Sequence, residues 1–190
     1  LRQDPDASMI PEHAPMREFP VDARGELTVG GLPLTRLAER VGRTPFYAYD
    51  RSRIGARVAR VREAIGPEVR LHYAIKANPF PPLVALLARE TDGFDVASGG
   101  EMALALDCGM APERIAFAGP GKRDEELRQA LAAEITITLE SERELPRVLA
   151  HAESLGIAPH LALRLNPDFE LKRAGMKMGG GAKPFGIDLE

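Results

Sequence analysis

The sequence predicts an α/β protein built from parallel βα units, on two observations. Apolar strand candidates start at residues 70, 94, 115, 135 and 161, so successive starts lie 24, 21, 20 and 26 residues apart. That interval suits a strand, a loop and a helix. The strand segments also read as continuous apolar runs rather than strict alternation, the pattern of a parallel sheet covered on both faces or closed into a barrel. A doubly wound open sheet fits the same rhythm, so spacing leaves both architectures standing.

Along the chain, residues 1 to 24 carry Pro5, Pro11, Pro15 and Pro20 among scattered charges with no apolar period, and form an irregular arm. Met9 opens a more protein-like stretch than Leu1, so residues 1 to 8 read as leader or upstream sequence. Glu26 to Val29, the Gly30-Gly31 turn and Leu32 to Leu34 suggest a hairpin, followed by a helical turn or two through Leu37, Ala38 and Val41. A further strand is expected over Phe46 to Tyr49. Asp50 and Ser52 are N-cap types ahead of Ile54, Val58, Val61 and Ile65, a helical stripe that ends at Gly66-Pro67. The five strands then span 70–75, 94–97, 115–118, 135–139 and 161–165. Helices fill the stretches near 80–90, 100–109, 123–133 and 141–155. Five units leave an eight-stranded barrel incomplete. The chain stops at Leu189-Glu190, about where another helix would begin, so on the barrel reading a fragment is expected.

Composition narrows the function. The chain has 190 residues, within the range of one domain, and 25 Lys+Arg against 28 Asp+Glu give a net charge of −3. No cluster of basic residues interleaves with aromatics, which argues against a nucleic-acid partner. No apolar run approaches the roughly 18 residues of a membrane span. A small-molecule partner is the better expectation. Cys108 is the sole cysteine, so no intrachain disulfide can form, and no signal-peptide pattern opens the chain; the expected compartment is the cytoplasm.

The most informative segment is His72-Tyr73-Ala74-Ile75-Lys76-Ala77-Asn78-Pro79. It sets a lysine at the C-terminal end of a buried strand, the end where barrels build active sites. The residues alone allow a solvated strand-end lysine, or an amine activated by desolvation to attack a carbonyl. Gly119-Pro120-Gly121-Lys122 is not a Walker loop, because Ala116 and Arg123 stand where that motif needs Gly and Ser or Thr; Lys122 is at most a pocket-side cation. Gly179-Gly180-Gly181 reads as a loop. Cys108 reads as a buried helix residue. His13, His72, His151 and His160 show no metal-ligand spacing, so no metal site is expected.

Four motifs occur in order: Tyr-Ala-Ile-Lys-Ala-Asn at 73–78, Phe-Asp-Val-Ala-Ser-Gly-Gly-Glu at 94–101, Gly-Pro-Gly-Lys at 119–122 and Leu-Arg-Leu-Asn-Pro at 163–167. From about residue 9 onward the chain resembles the pyridoxal-phosphate-dependent decarboxylases of the diaminopimelate and ornithine group, which share the alanine-racemase-like barrel. Gly-Met-Lys-Met-Gly-Gly-Gly at 175–181 and Pro-Phe-Gly-Ile-Asp at 184–188 further resemble the exosortase A system-associated subgroup.

The resemblance implies a partial (β/α)8 barrel over residues 51–190, preceded at 25–50 by strands of a small β-domain. It implies that Lys76 holds pyridoxal 5'-phosphate as a Schiff base, that Asp95 lies near the lysine end of the cofactor and that Arg164 shapes the ring environment. Glu101, Ser98, Tyr73 and Asn78 also match the motifs, but capping, packing and loop-shaping roles suffice for them. Decarboxylation of a basic or diamino acid by a homodimer follows, with the ring-stacking histidine, phosphate loop and substrate residues expected beyond Glu190. The 190 residues alone are accordingly expected to be inactive. A racemase on the same barrel, or a pyridoxal-phosphate carrier without turnover, are the rival expectations. Phe169 to Lys177, where diaminopimelate enzymes often carry a His-containing loop, leaves the substrate side chain open.

Overall fold

The computed structural model describes residues 19–166 and 185–188. Two compact units divide inside one helix, the first ending at Val61 and the second starting at Arg62.

In the first unit, strands β1 (Thr28–Val29) and β2 (Leu32–Pro33) form the expected hairpin. Its two-residue turn needs positive φ at both positions, which Gly30 (φ 59°) and Gly31 (φ 77°) supply without a Cβ clash. Helix α1 (Leu34–Val41) follows and stops at Gly42 in the left-handed conformation. The strand expected over 46–49 is absent. No neighbouring strand lies alongside it among the described residues, so its backbone has no ladder to join, and Tyr47 is 91% exposed. Helix α2 (Arg51–Ile65) begins where its cap predicts, with Asp50 Oδ1 accepting from Ser52 N at 2.9 Å.

The second unit is a five-stranded parallel sheet in the order β3 (His72–Ala74), β4 (Gly93–Val96), β5 (Ile115–Phe117), β6 (Thr136–Leu139) and β7 (Leu161–Leu163). Helices α3 (Pro81–Glu90), α4 (Gly99–Asp107), α5 (Asp124–Ala132) and α6 (Glu144–Leu155) connect them. The spatial order follows the chain order with no reversal. That is the arrangement of a (β/α)8 barrel and not of a doubly wound sheet, whose order turns back on itself. The fold is therefore α/β, with the first five βα units of a barrel. The strand pair β8 (Leu165–Asn166) and β9 (Ile187–Asp188) completes the described residues.

Contrary to the continuous apolar reading, the strands alternate. Phe94, Val96, Ile115, Phe117, Ile137 and Leu139 are buried under the helices, against Val84, Leu87, Leu127, Leu131 and Val148. Each such side chain contributes roughly 1.5–3 kcal/mol. The opposite face carries small or polar groups: Ala74 pairs in register with Asp95, Asp95 with Ala116, Ala116 with Thr136, and Thr138 with Ala162. This is the inward face, and it lines a cleft. Within the second unit, the Arg62 guanidinium binds both oxygens of Asp92 at 2.9 and 3.0 Å, holding that carboxyl below its ordinary range.

Candidate active site

The lysine motif is a strand that breaks into a tight turn. After β3, residues Ile75–Ala77 form one turn of 3-10 helix. Ile75 is fully buried and anchors it. Tyr73 packs edge-on against Phe94 and donates from its hydroxyl to Asn78 O at 3.1 Å, and Asn78 Oδ1 accepts from Phe80 N at 3.1 Å. With its neighbours pinned, Lys76 is exposed at the C-terminal end of the sheet.

Asp95 projects from β4 on the inward face. His72 Nδ1 lies 3.3 Å from Asp95 Oδ1. Gly93 makes that approach possible: a Cβ there would sit 2.6 Å from the His72 ring and 2.3 Å from Arg114 O.

Two first-turn amides of α4 are taken by side chains of the chain itself. Ser98 Oγ accepts from Glu101 N at 3.2 Å, closing the cap, and Glu101 Oε2 accepts from Ala97 N at 2.8 Å, one residue ahead of it. Glu126 Oε1 accepts from Gly99 N at 2.7 Å, while its other oxygen caps its own helix through Arg123 N at 2.9 Å. Burial pushes the Glu126 carboxyl up, but the Arg123 and Gly99 amides and the Arg123 guanidinium outweigh it and hold the group at about 2.

Behind the ends of β5, β6 and β7 lies a buried ionic network. Lys122, expected as a pocket-side cation, instead points inward, its side chain 1% exposed. Its Nζ donates to Glu144 Oε1 and Oε2 at 3.0 and 3.1 Å and to the carbonyls of Gly119 and Thr138, both at 2.7 Å. Four acceptors within reach draw it away from the cleft. Arg164, at the end of β7, binds Glu140 at 3.3 Å, and Phe185 stacks on its guanidinium at 4.9 Å. Cys108 is not a core residue: it is the half-buried C-cap of α4, its Sγ 3.6 Å from Pro81 O, and burial, then Asp107, pushes its thiol up.

Lys76, Asp95 and Arg164 line one cleft of about 530 Å³, within the usual span of ligand pockets. Its floor is Ala74, Ala116 and Ala118, and the Gly119–Gly121 loop forms one rim. The small side chains leave a slot with an amine, a carboxylate and a guanidinium on its walls. Sequence reasoning missed Glu140, Glu144 and Glu126. A Glu at the third position of α5 was a readable capping signal, whereas Glu140 and Glu144 carry no local signal, their partners lying 24 and 22 residues away. The first unit has a larger cleft, about 670 Å³, whose lining includes none of the three expected site residues. No group of His, Cys, Asp or Glu among the described residues could hold a metal ion, and no helix among them is long and apolar enough to cross a membrane. The motif at 175–181 and Gly179-Gly180-Gly181 lie outside the described residues.

Residues 51–190 match the family model described as pyridoxal-dependent decarboxylase, pyridoxal binding domain. The chain is 38% identical over 183 residues to the diaminopimelate decarboxylase of Aquifex aeolicus, covering 95% of this chain and 42% of that one. It is 37% identical over 156 residues to the L-glutamyl-[BtrI acyl-carrier protein] decarboxylase of Niallia circulans, covering 82% and 36%. The crystal structure of Helicobacter pylori diaminopimelate decarboxylase complexed with L-lysine superposes with a TM-score of 0.72 at 32% identity, over 81% of this chain and 40% of that one. The chain thus spans about two fifths of the length of the relatives it matches. With three quarters of its length inside one family model, the chain belongs to the pyridoxal-dependent decarboxylases.

Proposed function

We propose that this chain is the cofactor-binding part of a pyridoxal 5'-phosphate-dependent decarboxylase acting on a diamino acid, with Lys76 holding the cofactor through Nζ. The observation that carries the reading is the convergence of Lys76, Asp95 and Arg164 on one small-residue cleft at the C-terminal end of the parallel strands. The donor set suits the group: a primary amine for an aldehyde, a floor of alanines for a flat ring, and charges of both signs on the walls. When bound, the cofactor supplies the electron sink for the electron pair left as carbon dioxide departs. The chain's own residues orient and screen. The 3-10 turn fixes Lys76 at the cleft, His72 orients Asp95 beside it, and Arg164 sets a fixed positive charge on the far wall.

The same reading makes residues 25–50 the start of a small β-domain and 51–190 the first part of a cofactor-binding barrel. It assigns the protein to the cytoplasm as a homodimer and, on the 175–181 motif, to the exosortase A system-associated subgroup. The diaminopimelate decarboxylase relatives support a diamino acid as substrate, since L-lysine is diaminopimelate less one carboxyl group. The identity to the Niallia circulans relative favours a second reading, in which the amino acid arrives on a carrier protein.

The test is borohydride reduction of the full-length protein after incubation with pyridoxal phosphate, followed by peptide mass mapping. The adduct is expected on the peptide containing Lys76 and is absent in Lys76→Ala; attachment at another lysine, or none, defeats the reading. Carbon dioxide release over free diamino acids and carrier-bound glutamate then separates the two substrates.

A further inference from the structure

We propose that Glu140 is a positioning residue that aims Arg164 into the cleft, an inference that rests on the reading of Arg164 as part of the cofactor site. Glu140 directly follows β6, and its side chain is 1% exposed. Oε1 accepts from Gly119 N at 2.6 Å and from Arg164 Nη1 at 3.3 Å, and Oε2 lies 3.4 Å from the same nitrogen. One buried carboxylate therefore joins two separate walls of the cleft, the loop after β5 and the end of β7.

Glu140 is itself held. Its backbone N donates to Glu144 Oε2 at 2.9 Å, and Glu144 takes the Lys122 ammonium on both oxygens. Two acids and two cations balance in charge, and no buried side-chain polar atom among the described residues lacks a partner. Stability does not explain such a network, because apolar residues of equal volume commonly serve as well in place of buried ion pairs. Placement does. Arg164 is 29% exposed on its side chain, so its guanidinium reaches the cleft while its partner stays dry. Phe185 covers the ring-stacking face, and Gly186 lets that cover approach: a Cβ there would lie 2.8 Å from Asn166 Oδ1 and 3.1 Å from Arg164 Cγ. An arginine without Glu140 would sample many rotamers and lose its aim.

A double-mutant cycle on the full-length protein tests this, using equilibrium dialysis of pyridoxal phosphate as the readout and kcat and KM as the second. Glu140→Gln and Arg164→Gln are each expected to weaken cofactor binding about tenfold. The double variant is expected to be no weaker than Arg164→Gln alone, because the glutamine amide oxygen still accepts from Gly119 N and only the hold on Arg164 is lost. If the two losses multiply, or Glu140→Gln binds like wild type, the proposal is overturned while the cofactor reading stands. If wild-type protein does not bind pyridoxal phosphate, both fall. Should Glu140→Gln not fold, Glu140→Asp, which keeps a carboxylate but shortens its reach toward Arg164, enters the same cycle.

Discussion

Replacing Glu126 by Gln should cost the protein about 2 kcal/mol at neutral pH, and the cost should disappear in acid. The carboxylate receives the Gly99 and Arg123 amides at 2.7 and 2.9 Å, one from each of two helix N-termini. A fall from its ordinary value near 4.5 to about 2, at about 1.4 kcal/mol per pH unit, amounts to about 3 kcal/mol of stability. Gln keeps one acceptor oxygen and with it about 1 kcal/mol of neutral hydrogen bonding, which leaves about 2 kcal/mol lost. Arg123 is 68% exposed and adds little. The sign follows from the lowered folded-state value. The contribution is complete above about pH 4.5, where the unfolded carboxyl is also ionised, and is lost as pH falls from there to about 2. Urea unfolding of wild type and variant at pH 7 and pH 3 measures the gap, and amide exchange at Gly99 and Arg123 localises it. A gap below about 0.5 kcal/mol at pH 7, or one as wide at pH 3 as at pH 7, would refute the reasoning.

Other perturbations separate packing from the site. Gly93→Ala drives a methyl into Arg114 O and the His72 ring and should destabilise by about 2–3 kcal/mol in urea unfolding. Phe117→Ala empties a fully buried position under the helices, with an expected loss of about 3–5 kcal/mol by the same assay. Ser98→Ala removes the α4 cap and should cost about 1 kcal/mol, well short of the loss in Phe117→Ala. Ala116→Leu fills the floor of the cleft; dialysis should show pyridoxal phosphate binding reduced about tenfold or more with the melting temperature near wild type, and unchanged binding would remove that floor from the site.

The βα rhythm was legible because each unit is encoded locally: caps such as Asp50 and Ser98, terminators such as Gly66-Pro67, and apolar stripes mark the helices without reference to the rest of the chain. Lys76 was legible for a similar reason, since a lysine after four strand residues is a local pattern. What failed was nonlocal. Phe46 to Tyr49 has strand composition, yet a strand exists only where another backbone pairs with it. Lys122 read as a pocket-side cation because its partner Glu144 is 22 residues away, and Glu140 gave no signal because Arg164 is 24 away. Inward positions such as Asp95, Thr136 and Thr138 were hidden in runs read as apolar, since short strands offer only two or three alternations. Barrel or open sheet was likewise undecidable until strand order could be seen.

That strand order also bears on how the chain acquires its shape. The paired strands begin at His72, Gly93, Ile115, Thr136 and Leu161, 21, 22, 21 and 25 residues apart, and each adds to the one made just before it. Every closure therefore carries nearly the same modest entropic cost, and none waits for a distant segment. During synthesis, which delivers the N-terminal strands first, each new strand meets a formed edge and the sheet grows by accretion, one βα unit per twenty-odd residues translated. Growth of this kind keeps contact order low. Its cost is that every intermediate presents two unpaired parallel edges, that of β3 and that of the newest strand, so the hazard during synthesis lies in how long they stay uncovered.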